Sequence, residues 1–313
     1  MKGLEISKKY FEEFGEKILR DNFSDILPFL ACGLTGSGSE CFGYDDDISR
    51  DHDFEPGFCI FIPDESVVDR KTAFRLERAY AQLPKEFMGV KRQLMAPVGG
   101  QRHGVFRINE YYAEKLGAPD CRFDIKEWFT LPEEALAESV NGEIFFDNYG
   151  LITDIRKRIS FYPSDIKMKK LAGHLLLMAQ SGQYNYSRCM AHGETGAAQL
   201  SLFEFAKSAI STVFLLNGKY KPFYKWSFRA LRSLEILPRA ADYLEFLISS
   251  DNSKENTENK QVIIETTASE IIDELTRQNL TSAICGDLEK HAYSVNDKIE
   301  NAEIRNMHIL SAV

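Results

Sequence analysis

The stretch that most constrains this chain is Gly36-Ser37-Gly38-Ser39-Glu40. A short acidic, aromatic segment follows it, then Ser49-Arg50-Asp51-His52-Asp53 and the apolar run Phe58-Cys59-Ile60-Phe61-Ile62. Small residues from Gly36 to Ser39 let backbone N–H groups come close to an anion. Two carboxylates at i and i+2 of an extended chain point to one face, so Asp51 and Asp53 can share a divalent cation while His52 points away. A phosphate cradle beside a metal-binding pair, feeding a strand, is most economically read as a place for a nucleoside triphosphate with Mg²⁺.

Composition decides what kind of partner such a loop serves. At 313 residues, 44% hydrophobic and 27% charged, the chain has material for two packed domains of about 100–200 residues each. The formal charge of −9 and pI near 5.3 argue against holding long nucleic acid by the net field, which favours small-molecule or protein partners. Cys32, Cys41, Cys59, Cys121, Cys189 and Cys285 are scattered without C-x-x-C spacing, so they read as reduced core residues rather than zinc ligands or a disulfide framework. Met1 to Phe11 carries Lys2, Glu5, Lys8 and Lys9 among isolated apolar positions, unlike a secretory leader, and no apolar run approaches the ~20 residues of a membrane span. The expectation is a cytoplasmic protein.

Periodicity gives the organisation. Ser7 to Leu27 reads as largely helical from Tyr10, Phe11, Phe14, Ile18 and Leu19, and ends before Pro28. Strands are expected at Phe58–Ile62, Gly104–Ile108 and Glu143–Asp147. A helix over Asp69–Gln82, with its start signalled at Pro63-Asp64-Glu65, is closed by Pro84. From Tyr162-Pro163 onward the pattern turns helical, over Asp165–Gln180, Glu194–Leu216 and Pro222–Leu234. A polar stretch from Ser250 to Lys260 reads as an exposed loop, and helices around Val262–Gln278 and Gly286–Leu310 follow it. The expected fold is α+β: a small mixed sheet with helices over residues 1–160, then an all-helical bundle over 161–313.

The order of helix, glycine-serine turn, paired acids and apolar strand resembles the polymerase-beta-type nucleotidyltransferase superfamily, which includes the aminoglycoside nucleotidyltransferases. That resemblance implies that Gly38 and Ser39, with Gly36 and Ser37 beside them, contact the triphosphate and that Asp51 and Asp53 bind the metals. Longer strings are similar to a branch of the superfamily defined as a domain of unknown function, which supplies no substrate. They are Gly-Ser-Glu-Cys-Phe-Gly-Tyr-Asp-Asp at 38–46, Ser-Arg-Asp-His-Asp-Phe at 49–54, Gly-Gln-Tyr-Asn-Tyr-Ser-Arg-Cys at 182–189 and Asn-Gly-Lys-Tyr-Lys-Pro-Phe-Tyr-Lys-Trp at 217–226. The layout implied is a catalytic α/β domain followed by a helical bundle similar to the C-terminal domain of kanamycin nucleotidyltransferase.

The sequence departs from the superfamily pattern in two places. Phe54-Glu55-Pro56-Gly57 separates the acids from the strand, and Pro56 cannot donate to a sheet ladder. No acid lies within Gly104–Ile108, where the pattern sets a third carboxylate, leaving Glu110 and Asp124 as substitutes. Several other features carry two readings. Arg50 either approaches a phosphate or forms an ion pair that holds the loop. Asp45-Asp46-Asp47 reads as a solvated face. Lys219-Tyr220-Lys221-Pro222-Phe223-Tyr224-Lys225-Trp226 interleaves cations and aromatic rings; Lys225 and Tyr220 suit a triphosphate and a stacked base, or the segment is a structural turn. The run Gln180–Arg188 either reads a base or an acceptor, or links two helices. His174, among Leu171, Leu175 and Leu176, reads as a satisfied core histidine.

The activity expected is transfer of a nucleoside monophosphate from an NTP, with Mg²⁺ or Mn²⁺, to a hydroxyl of a small molecule or protein, releasing pyrophosphate. The competing expectation is a nucleotide-binding regulatory protein without turnover, and a third is a helical adaptor with no NTP affinity.

Overall fold

Four strands form the central sheet of a computed structural model that describes residues 1–48, 55–92 and 102–313. The N-terminal helical segment runs through α1 (Gly3–Tyr10), a π-helical turn (Phe11–Gly15) and α2 (Glu16–Asn22). Then come β1 (Ala31–Leu34), β2 (Cys59–Ile62), α3 (Arg70–Ala81), the small hairpin β3 (Glu86–Phe87) and β4 (Val90–Lys91), β5 (Gly104–Arg107) and α4 (Ile108–Leu116). After α5 (Ile125–Thr130) come α6 (Glu133–Val140), β6 (Glu143–Asp147) and α7 (Leu151–Arg158). The sheet order is β5-β2-β1-β6, with β1 antiparallel to both neighbours and β5 parallel to β2, so the sheet is mixed.

Side-chain alternation assigns the two faces of the sheet. Cys32, Ile60 and Ile62 join Tyr10, Phe11, Leu19, Leu76 and Tyr80 in one core beneath the N-terminal helices and α3. Phe61, one residue out of phase, meets the Tyr111 ring of α4 at 5.1 Å on the other face. Burial on both faces is why β2 reads as an unbroken apolar run.

The chain divides into two compact units, Met1–Phe123 with Glu134–Ser160, and Asp124–Glu133 with Phe161–Val313. Residues 124–133 therefore belong with the helical part. Trp128 of α5 packs edge-on against Tyr162 at 5.9 Å. The second unit continues through α8 (Ser164–Met178), a π-helical stretch (Ala179–Tyr186), α9 (Ser187–Ala191), α10 (Thr195–Leu216), α11 (Tyr224–Arg232), α12 (Ala240–Ser249), α13 (Lys254–Arg277), α14 (Leu288–Asp297) and α15 (Ala302–Asn306). Helix α10 packs against α8 and α12 at its centre.

Several expectations are corrected. The polar stretch 250–260 is not an exposed loop: α13 begins at Lys254, and Lys260 is fully buried, donating to Ser250 O at 2.8 Å and Asn252 Oδ1 at 3.0 Å. Polar composition here hides one buried cation held by two acceptors. Asp64 does not start α3; its carboxylate accepts from Ser66 N, while Asp69 caps the helix through Thr72 N at 2.7 Å. The run 180–188 is helical rather than a loop: Ala179–Tyr186 continues α8 as a π-helix, and Ser187 and Arg188 begin α9. Helix α10 is long and apolar enough to cross a membrane, contrary to the sequence reading, and 67% of that stretch is buried inside the unit. His174 is not satisfied, since its Nδ1 is buried and has no hydrogen-bond partner among the described residues.

Candidate functional site

The glycine loop leaves the end of β1 and lines a cavity of about 70 Å³. Gly36, Ser37 and Gly38 share that lining with Glu40, Cys41, Arg102, His103, Phe106, Tyr111, Glu114 and Lys115. Gly36 has φ +130°, a backbone conformation that favours glycine. Ser39 opens a 3₁₀ turn, Ser39–Phe42, which ends at Gly43 in the left-handed conformation.

The loop is clamped from behind by the Asn141-Gly142 turn that leads into β6. Asn141 Oδ1 accepts from Gly36 N and Thr35 Oγ1, both at 3.0 Å, and its Nδ2 donates to Gly36 O at 2.7 Å. Gly142 N donates to Cys41 O at 2.9 Å. Arg156 Nη2 on α7 holds the turn by donating to the carbonyls of Val140 at 2.5 Å and Asn141 at 2.7 Å. One consequence corrects the simple picture of a loop made entirely of free donors. The N–H of Gly36 is already committed to Asn141, so Gly36 serves the site through its shape.

Charges of both signs meet in the cavity. Glu40 is 7% exposed, and its carboxylate stands 2.0 Å from where a side chain on Gly38 would begin, so the glycine makes room for the acid. Lys115 Nζ on α4 pairs with Glu138 Oε2 at 3.0 Å and lies 5.4 Å from the Tyr111 ring centre. His103 Nδ1 lies 3.2 Å from Glu55 Oε1. Burial pushes the Cys59 thiol up to about 12 and holds the Cys41 thiol well above its ordinary value, so neither is a thiolate nucleophile at neutral pH.

Tyr111 is 8% exposed, and its hydroxyl has no hydrogen-bond partner among the described residues. The neighbouring Thr35 hydroxyl is engaged with Glu138 O, Asn141 Oδ1 and Arg156 Nη1. Burial raises the Tyr111 phenol well above its ordinary pKa.

The sequence-derived residues fall in different places. Gly36, Ser37 and Gly38 line the cavity, and Ser39 begins the turn beside it. Arg50, Asp51 and Asp53 lie outside the described residues. Asp45 is corrected: only Asp46 and Asp47 are exposed, whereas Asp45 is 2% exposed and accepts from Gly3 N at 2.9 Å, capping α1. Neither proposed third carboxylate joins the cavity lining. Glu110 is exposed in the first turn of α4, and Asp124 caps α5 in the second unit, accepting from Glu127 N at 2.8 Å.

In that second unit Tyr220 is buried against Phe161 at 5.3 Å and Tyr162 at 4.9 Å. Lys225 is exposed in the first turn of α11, with its ammonium 4.3 Å from the Trp226 ring centre. Sequence reasoning missed Tyr111, Lys115, Glu40, Asn141 and Arg156. Tyr111 and Lys115 are four residues apart on α4, an i, i+4 pair legible only once the helix is known. Asn141-Gly142 reads as an ordinary turn dipeptide, and its hold on Gly36 has no signal in the sequence.

The profile of a domain of unknown function, DUF4037, matches residues 128–227. No curated protein sequence matches the chain. The matched stretch begins in α5 and ends in α11; it contains Asn141, Arg156, Tyr220 and Lys225, but neither the glycine loop nor Asp51 and Asp53.

Proposed function

We propose that this protein is a metal-dependent nucleotidyltransferase that moves a nucleoside monophosphate from an NTP to a hydroxyl of a small molecule or protein. The observation that carries the reading is the clamped glycine-serine loop at the end of β1. It opens into a small cavity with Lys115, Arg102 and His103 on its lining, and it leads in sequence to Asp51 and Asp53 before β2. The resemblance of these motifs to the polymerase-beta-type superfamily supports the same reading. In the reaction, the acceptor oxygen attacks the α-phosphorus, the bond from that phosphorus to the bridging oxygen breaks, pyrophosphate leaves, and the hydroxyl proton passes to a base.

The resemblance gives the metal to Asp51 and Asp53. Among the described residues no group of three His, Cys, Asp or Glu gathers to hold an ion, while the carboxylates of Glu40 and Glu114 line the loop cavity. A bound divalent ion would supply charge neutralisation on the phosphates. The chain's own part is to hold the loop rigid through Asn141 and to set Lys115 beside it.

The decisive experiment incubates the protein with each NTP and Mg²⁺ or Mn²⁺. Pyrophosphate release is followed, and candidate acceptors and the protein itself are weighed for the gain of one nucleotide. Pyrophosphate release abolished by Asp51→Asn supports the reading; binding of NTP with no transfer to any acceptor tried favours the regulatory alternative. Two observations motivate that alternative: Phe54-Glu55-Pro56-Gly57, with Pro56 in it, separates the acids from β2 in sequence, and no carboxylate lies on β5.

A further inference from the structure

We propose that the Tyr111 hydroxyl and the Lys115 ammonium form a phosphoryl-binding subsite on the open side of Gly36, an inference that rests on the nucleotide reading above. The position that a side chain on Gly36 would occupy is 4.0 Å from Lys115 Nζ and 4.0 Å from Tyr111 Oη, and apart from Gly36 and the adjoining Thr35 and Ser37 no other heavy atom of the described residues is as near. That space is within about 1 Å of hydrogen-bond range of both groups. Gly36 keeps it clear, and the left-handed backbone there leaves no strain-free alternative to glycine.

The tyrosine is the telling member of the pair. Buried hydroxyls are ordinarily hydrogen-bonded, and among the described residues this one has no partner. Its ring is well held without the oxygen, meeting Phe61 at 5.1 Å and Phe106 at 5.7 Å, so phenylalanine would pack equally well. A hydroxyl retained at that cost to folding, aimed into a cavity beside an ammonium, fits a ligand oxygen. Lys115 gives one donor to Glu138 and keeps two more.

A phosphoryl group suits the chemistry better than a bare carboxylate. Glu40 and Glu114 share the lining and repel an anion, which favours one that arrives with a divalent cation. The cavity, at about 70 Å³, has room for a group of that size.

The test uses the full chain, with Mg²⁺ and inorganic pyrophosphate as the probe in titration calorimetry, and Tyr111→Phe and Lys115→Gln as variants. Tyr111→Phe is expected to melt at or above the wild-type temperature while binding pyrophosphate about tenfold more weakly, the worth of one hydrogen bond to a charged oxygen. Lys115→Gln is expected to lose more. Unchanged affinity in Tyr111→Phe, a wild-type protein that does not bind pyrophosphate, or a Tyr111→Phe protein that melts several degrees lower would each overturn the subsite. The transfer assay separates the two ideas. Weakened pyrophosphate binding in a protein with no transfer activity keeps the subsite and removes the transferase reading, whereas unchanged affinity in an active enzyme does the reverse.

Discussion

Asn141→Ala tests whether the glycine loop is held by its neighbours or holds itself. The substitution removes the bond from Gly36 N and the bond from Thr35 Oγ1, both 3.0 Å, and the 2.7 Å bond to Gly36 O. Each such bond contributes a net ~0.5–1.5 kcal/mol, and the half-buried site lets water replace part of the loss, so the expected destabilisation is about 2 kcal/mol. In a unit of this size, that lowers the melting temperature by about 4–8 °C. Both tryptophans, Trp128 and Trp226, lie in the second unit, so indole fluorescence reports on the wrong part of the chain. Urea and thermal melts should therefore be followed by far-ultraviolet circular dichroism. Asn141→Asp keeps the acceptor for Gly36 N and Thr35 and loses only the donor to Gly36 O, so it should recover more than half of the loss. An Asn141→Ala protein that melts like wild type, or an Asp variant no better than Ala, would refute the clamp.

Gly142→Ala places a methyl 1.9 Å from Leu34 O at φ +66° and should destabilise by about 3 kcal/mol or more, seen as a lowered melt or insoluble expression; a soluble variant melting as wild type would contradict the contact. His174 is held near a pKa of about 3 by burial first, then by Lys221, Lys170 and Lys207, so the folded state resists its protonation. The unfolded chain takes up that proton near the ordinary value of 6.5, so the histidine's contribution is intact above that pH and falls as pH drops toward the folded value. The loss approaches about 1.4 kcal/mol per pH unit, and His174→Gln should flatten the difference between urea midpoints at pH 7 and pH 5; an unchanged difference counts against it. Asp51→Asn and Asp53→Asn should each suppress transfer strongly with unchanged melting, and full activity in both would remove the metal pair from the reaction.

Much of the fold is legible in the residues because local patterns and tertiary packing agree. Strand β6 occupies Glu143–Asp147 and β2 lies within Phe58–Ile62 as their aromatic and β-branched composition indicates, and α3 fills the amphipathic segment before Pro84. Strand β1 is the counterexample. Ala31-Cys32-Gly33-Leu34 has neither alternation nor strong β-propensity, yet it lies in the middle of the sheet, paired on both sides. Its glycine meets the β6 backbone so closely that a Cβ would stand 2.5 Å from Glu143 O. The neighbours make that segment a strand. Polar composition misled in the other direction at 254–260, where a helix forms around the buried Lys260.

The sequence alone determined the glycine-serine loop, the acid pair beside it, the mixed α/β character of the first part and the helical character of the second. All of these rest on residue type and short-range spacing, which the chain carries wherever it folds. Only the tertiary structure decided what surrounds the loop. It placed Asn141 across Gly36 from 105 residues away and brought Lys115 of α4 to Glu138. It left the Tyr111 hydroxyl without a partner among the described residues, on the lining of the cavity. These are long-range contacts set by strand order and by the faces on which helices settle, and no local pattern encodes them.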